Sequence, residues 1–158
     1  MALFLSTFVN KVDKKGRVSV PAQFRAALAD QSFNGIVAIP AFRVNAIQAF
    51  DYESMQGLSE GLDALELFSE EQTSLAAAIF ADAHQLPFDG EGRIVLPKEL
   101  AGHARITDLA AFVGQGRYFE IWEPEAARTH RERSREQARR QGMTVRLHRP
   151  GDEGGGRR

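Results

Sequence analysis

One nine-residue pattern occurs twice in this chain. "DKKGRVSVP", Asp13 to Pro21, returns 76 residues later as "DGEGRIVLP", Asp89 to Pro97. Both share the skeleton D-x-x-G-R-apolar-x-apolar-P. Such a repeat constrains the fold more than any single segment, because a duplicated small unit needs its copy to complete a core. Phe24 aligns with Leu100, and after a small gap "AIQAFDYE" (46–53) lies over "YFEIWEPE" (118–125). In both, an apolar strand ends on a large aromatic, Phe50 or Trp122, followed by acids. The expected organisation is a first repeat over 1–54, a helical linker over 55–81, a second repeat over 82–125, and an Arg-rich helix with a disordered tail over 126–158.

Local chemistry sets the element order within a copy. "STFVNKVD" is rich in strand formers and leads into a tight turn. Asp opening a turn with Gly three residues on suits a type I turn followed by a glycine bulge. The Asp carboxylate accepts a backbone N–H, and Gly takes the positive φ cheaply. "RVSVP" alternates as the return strand, and Pro21 suits a first helical turn, where an N–H is not needed. "AQFRAAL" continues as a short helix, then "GIVAIP" and "NAIQAF" as two strands. The second copy repeats this order through "HQLPFD", "RIVLP", "KELAGHA", "LAAFVG" and "YFEIW". Between the copies, "YESMQGLSEGLDAL" and "EEQTSLAAAIFADA" read as helices, the second with a capping box from Ser69 and Gln72. Two interleaved copies would close a small barrel and remove exposed strand edges. The expected class is mixed α+β and β-rich.

Charge is distributed unevenly along the chain. The net charge of −1 hides a basic start, an acidic middle and a basic end. Residues 1–43 carry Lys11, Lys14, Lys15, Arg17, Arg25 and Arg43 against Asp13 and Asp30, and residues 51–91 carry ten acids with no Lys or Arg. From 125 onward, ten arginines face five acids. Such a chain can present a positive face at near-zero average charge. Hydrophobic residues, at 43 %, suffice for a buried core. The absence of cysteine excludes disulfides and thiolate chemistry and fits a reducing cytoplasm. No apolar run approaches the roughly 20 residues that span a bilayer, and "MALFLSTFVNK" reads as a strand, not a signal peptide. His84, His103, His130 and His148 have no metal-ligand spacing, and no nucleophile elbow or phosphate loop is present. The expectation is a protein that is not an enzyme, with no cofactor, no metal and no small-molecule substrate.

A hairpin turn needs Asp and Gly. It does not need Arg after the Gly, or two lysines before it. Lys14, Lys15 and Arg17 therefore stand out on a protruding two-stranded ribbon. Such a ribbon fits the DNA major groove, Lys neutralises phosphates, and the planar fork of Arg reads guanine bidentately. These residues and their order, "DKKGRVSVPAQFR" followed by "DGEGRIVLPKEL…FEIW", closely resemble the two halves of MraZ proteins over about residues 1–125. MraZ proteins are bacterial regulators of the division and cell-wall gene cluster, within the wider SpoVT/AbrB-like group. The resemblance implies a double-split β-barrel of two pseudo-symmetric halves. It implies binding to short direct repeats in double-stranded promoter DNA, usually with repression of its own operon, by ring-shaped homo-oligomers at the nucleoid.

Carried over residue by residue, the family's D-x-x-x-R motifs map to Asp13 and Arg17 and to Asp89 and Arg93, and its basic turn to Lys14 and Lys15. Expected DNA contacts are Lys14, Lys15, Arg17 and Arg93. Asp13, Gly16, Pro21, Asp89, Gly92 and Pro97 are expected to hold the two turns and helix starts. Glu91 departs from the pattern, because an acid beside Arg93 repels phosphate. The rival reading is an interaction or ring-assembly module without DNA contact, using Leu58, Leu62, Leu65 and Phe68, which at helical spacing are more often plain core. The Arg-rich end reads as a solvated helix with a disordered tail, or as a sequence-blind phosphate contact.

Overall fold

The computed structural model describes residues 2–147. The chain divides into two compact units, Met1–Ala127 and Arg128–Arg158. The tail "RPGDEGGGRR" expected to be disordered lies outside the described residues, as does His148.

The first unit contains eight strands and four short helices, followed by the start of a fifth. The first copy runs β1 (Thr7–Lys11), β2 (Arg17–Ser19), α1 (Ala22–Ala27), β3 (Gly35–Pro40) and β4 (Ile47–Phe50). Next come α2 (Tyr52–Leu62) and α3 (Glu70–Ala76). The second copy runs β5 (His84–Pro87), β6 (Arg93–Val95), α4 (Lys98–His103), β7 (Leu109–Gly114) and β8 (Phe119–Trp122), and α5 (Pro124–Arg140) follows. β2 and α1 recur in β6 and α4 at the same spacing of 76 residues, whereas β4 recurs in β8 at 72, so the second copy has shorter connections.

The strands form a six-stranded antiparallel sheet in the order β1-β7-β8-β4-β3-β5 and a separate ribbon of β2 with β6, not one closed ladder. Exchanging each strand for its counterpart reverses the order and leaves it unchanged. The copies are interleaved: β1 pairs with β7 of the other copy, and β5 with β3. The physical reason is length. β2 and β6 have three residues each, and an isolated short hairpin is marginal in water. Each finds its partner in the other copy, with Val18 opposite Ile94.

Val18 and Ile94 face inward and are 1 % exposed. They join a core with Phe24 of α1 and Leu100 of α4. Phe24 lies at its centre: its ring is 4.8 Å from that of Phe119, 5.4 Å from Phe4 and 5.6 Å from Phe8. A second cluster packs Trp122 and Ala127 against Ala111 and Val113. A third packs Met55 of α2 against Val37 and Ile39, with Ile79 and Phe80 alongside.

Three local readings need correction. The segment after Ser69 is not one regular helix: α3 passes into a π-helical turn, Ala77–Ala81. Ser69 does cap α3 by accepting from the Gln72 N–H, but the Gln72 side chain accepts from Phe68 N at 3.0 Å. The reciprocal half of the capping box is thus displaced by one residue. Leu58, Leu62, Leu65 and Phe68 are not plain core: none is buried, and Phe68 is 85 % exposed. On these two helices only Met55 is buried, so the apolar spacing of 58–68 meets no core there.

Among the described residues, no helix is long and apolar enough to cross a membrane. Of the second unit, residues 128–140 complete α5, and their exposed surface matches the absence of an apolar stripe.

Phe24→Ala removes a buried ring contacted by aromatic side chains from both copies. It is expected to cost about 3–5 kcal/mol in urea unfolding, with one cooperative transition for residues 1–127 if the interleaved copies share one core.

Candidate nucleic-acid interface

The two repeated motifs fold into two turns with matching hydrogen bonds. In the first, Asp13 N donates to Arg17 O and Gly16 N to Asp13 O, both at 3.0 Å. In the second, Asp89 N donates to Arg93 O at 2.9 Å and Gly92 N to Asp89 O at 3.0 Å. Gly16 and Gly92 have φ of 81° and 77°, which a side chain would disfavour. Gly92 is also covered by the end of a flexible side chain, which would have to shift to admit a Cβ. A Cβ there would lie 2.6 Å from the guanidinium carbon of Arg25, whose Nε donates to Val20 O. Pro21 and Pro97 stand one position earlier than a first helical turn: they are the N-caps of α1 and α4, with ψ of 139° and 143°.

Each Asp braces its turn and its Arg together. Asp13 Oδ1 accepts from the N–H groups of Lys15 (2.9 Å) and Arg17 (2.8 Å), and Oδ2 accepts from Arg17 Nε (2.6 Å). Asp89 does the same with Glu91 N and Arg93 N (both 2.9 Å) and Arg93 Nε (2.8 Å). The contacts leave the terminal Nη groups of Arg17 without a partner among the described residues. In the second copy, Glu91 Oε2 lies 3.6 Å from Arg93 Nη1. The turn acid that breaks the family pattern thus takes up part of the guanidinium that the first copy leaves open.

The arginines converge on one surface. In the β2–β6 ribbon, Arg17 is opposite Val95 and Ser19 opposite Arg93. These four residues share the outer face, while Val18 and Ile94 point into the core. Leu96 N donates to Gly16 O and Val20 N to Gly92 O, so Arg17/Val95 and Ser19/Arg93 are the non-hydrogen-bonded pairs, where facing side chains approach closest. Lys14 and Lys15 stand exposed on the turn at one end; Gly90 and Glu91 stand at the other. Asn10 Nδ2 donates to Ser19 O at 2.7 Å, fastening β1 to the ribbon.

Sequence reading singled out both motifs but not their convergence, and it missed Arg25, Asn10 and Val95. Convergence depends on strand exchange between copies, which no local pattern encodes. For Arg25 a signal was available: the duplicate position holds Ala101, so the side chain is not part of the shared grammar.

The electrostatics follow from the same contacts. The Arg17 N–H bonded to Asp13 holds that carboxyl below its ordinary 3.8, aided by the Arg17 side chain and the Lys15 N–H against some desolvation. Asp89 is lowered in the same way, first by the Arg93 N–H. Arg93 is raised, chiefly by its bond to Asp89, with smaller contributions from Glu91 and from Asp13 of the other copy. A lowered carboxyl supports the fold fully above its unfolded value and loses that support as pH falls through the lowered one. The turns are therefore expected to stay braced down to 3.8 and to loosen only in more acid solution. Carbon-detected NMR titration should give Asp13 a midpoint below 3.8. Arg17→Ala should raise that midpoint without restoring 3.8, because the backbone donors remain.

Comparison with known proteins adds a family. Residues 79–146 match the family model described as "MraZ protein, putative antitoxin-like". The match passes residue 125, where the motif resemblance stopped, and takes in most of the described Arg-rich segment. A transcriptional regulator MraZ of Rickettsia akari (strain Hartford) is 44 % identical over 146 residues, covering 92 % of this chain and 98 % of the relative. One of Rickettsia bellii (strain OSU 85-389) is 44 % identical over 147 residues, with the same coverage. One of Rickettsia rickettsii (strain Sheila Smith) is 48 % identical over 125 residues, covering 79 % of this chain and 84 % of the relative. Identity at this level over nearly the whole length, with both braced arginine turns in place, makes this chain a member of the MraZ family.

Proposed function

We propose that this protein is a sequence-specific DNA-binding transcriptional regulator that acts through the outer face of the β2–β6 ribbon. The observation that carries the reading is the convergence of Arg17 and Arg93, each braced at Nε by its own Asp, on one exposed face. A guanidinium held at Nε keeps its Nη edge for a base or a phosphate. Lys14 and Lys15 add phosphate contacts at the Arg17 end. Relatives named transcriptional regulator MraZ support the regulatory role.

The finer reading is that the protein represses its own division and cell-wall gene cluster, in the cytoplasm at the nucleoid. It binds short direct repeats in the promoter as a ring-shaped homo-oligomer, in which several weak contacts gain affinity from effective concentration. The reversible strand order and the shared ribbon support a double-split β-barrel built from repeats 1–54 and 82–125, with 55–81 as a helical insertion. The exposed Leu58 and Phe68 on that insertion suit contacts between copies. They fit assembly under either reading; the braced Arg17 and Arg93 on the ribbon favour DNA binding over an assembly module that never touches DNA. The Arg-rich 126–158 segment adds phosphate contact without specificity.

Arg17→Ala is expected to leave folding and oligomer size unchanged. It should weaken binding to DNA upstream of the protein's own gene by about 5- to 150-fold, the range of one bidentate Arg–guanine pair. Unchanged affinity in fluorescence anisotropy would remove the ribbon from the interface.

Glu91→Lys tests the second turn separately. If that turn faces DNA, log affinity against log salt should steepen by about one unit per phosphate gained. An unchanged slope would place Glu91 away from the backbone.

A further inference from the structure

One residue on the ribbon's outer face is explained neither by turn chemistry nor by charge. Val95 is 54 % exposed, between the buried Ile94 and Leu96. Valine favours a strand, but the duplicate position holds Ser19, so this ribbon forms without a β-branched residue there. An apolar surface for another protein needs a few hundred Å² of contiguous area. Val95 stands alone on a polar face, flanked by arginines and Ser19.

Its position is specific. Val95 is directly across from Arg17 in a non-hydrogen-bonded pair, which brings facing Cβ atoms to about 4.5–5.5 Å. It also borders the cationic turn: a Cβ on Gly16 would lie 3.8 Å from Val95 Cγ1. The isopropyl group thus stands beside the turn that carries Arg17, at the same end of the ribbon as Lys14 and Lys15. At the other end the arrangement is Arg93, Ser19 and Glu91, without an apolar group.

We propose that Val95 is a specificity-determining residue that contacts the C5-methyl group of a thymine in the DNA bound by the ribbon. The proposal rests on the DNA-binding reading above and sharpens it. The thymine methyl is the apolar group that base edges display in the major groove. Successive base pairs are about 3.4 Å apart, so side chains as close as Arg17 and Val95 fall on the same or neighbouring pairs. Arg17 supplies a polar contact and Val95 an apolar one, and together they read a short step that neither reads alone. Ser19 at the duplicate position accepts or donates a hydrogen bond and does not select a methyl.

The test uses the full chain and a duplex selected by it from a randomised DNA pool. Each thymine of the selected site is replaced in turn by deoxyuridine, which removes only the methyl group. The wild type is expected to lose about three- to fivefold in affinity at one position, as one buried methyl implies. Val95→Ser and Val95→Ala, both at an exposed site, should fold as the wild type by circular dichroism and lose the distinction between thymine and deoxyuridine there. Arg17→Ala should weaken binding to both duplexes alike. If deoxyuridine is tolerated everywhere, or its penalty persists in both Val95 variants, while Arg17→Ala still weakens binding, the Val95 assignment is overturned and the DNA reading stands. If no site is selected, or Arg17→Ala binds as well as the wild type, both fall.

Discussion

Two backbone hydrogen bonds hold the two copies in register at the surface. Leu96 N donates to Gly16 O at 2.8 Å, and Val20 N donates to Gly92 O at 3.1 Å. Each runs from the end of one return strand to the bulge glycine of the other turn. A three-residue strand has no independent stability, so neither motif keeps its shape without the other. The ribbon is anchored underneath by Val18 and Ile94, which share a core with the helices that follow each turn. Core, ribbon and exposed arginines therefore form one mechanical chain. A lesion at Phe24 is transmitted to the surface because it loosens the floor on which both strands rest.

On that floor, the aspartates convert a flexible side chain into a fixed one. An unbraced arginine loses roughly 2 kcal/mol of rotamer freedom when it is ordered. Asp13 and Asp89 order theirs during folding, each through one hydrogen bond that Nε donates to a carboxylate held in place by two backbone N–H groups. Because these groups are exposed, the brace contributes little to global stability. Its value lies in geometry. The same contact that fixes the turn also selects which edge of the guanidinium faces outward. Glu91 then tempers one of the two copies, leaving Arg17 the more open cation.

Much of this was legible from residue order. Asp, Gly and Pro at fixed offsets encode a turn and a helix start, and their recurrence encoded the duplicated order of elements. What local patterns did not encode was anything decided by exchange between copies. Arg17 and Arg93 are 76 positions apart in sequence, yet they share a face because β2 chooses β6. Arg25 reaches Gly92 for the same reason. Periodicity misled at Leu58, Leu62, Leu65 and Phe68, where helical spacing implied a partner that the first unit does not supply. The π-helical turn at Ala77–Ala81 was also beyond pattern reading, since an alanine-rich run satisfies any helix.

The ribbon has a local dyad through the Val18/Ile94 pair, which would exchange Arg17 with Arg93. A surface with a perfect dyad sits on DNA equally well in two orientations half a turn apart. Here Lys14 and Lys15 face Gly90 and Glu91 across the dyad, and Val95 faces Ser19. The sequence differences remove that degeneracy and give the surface a head and a tail. On the proposed DNA, each subunit would then point one way along the helix axis, and neighbouring subunits would need sites that all run in the same direction.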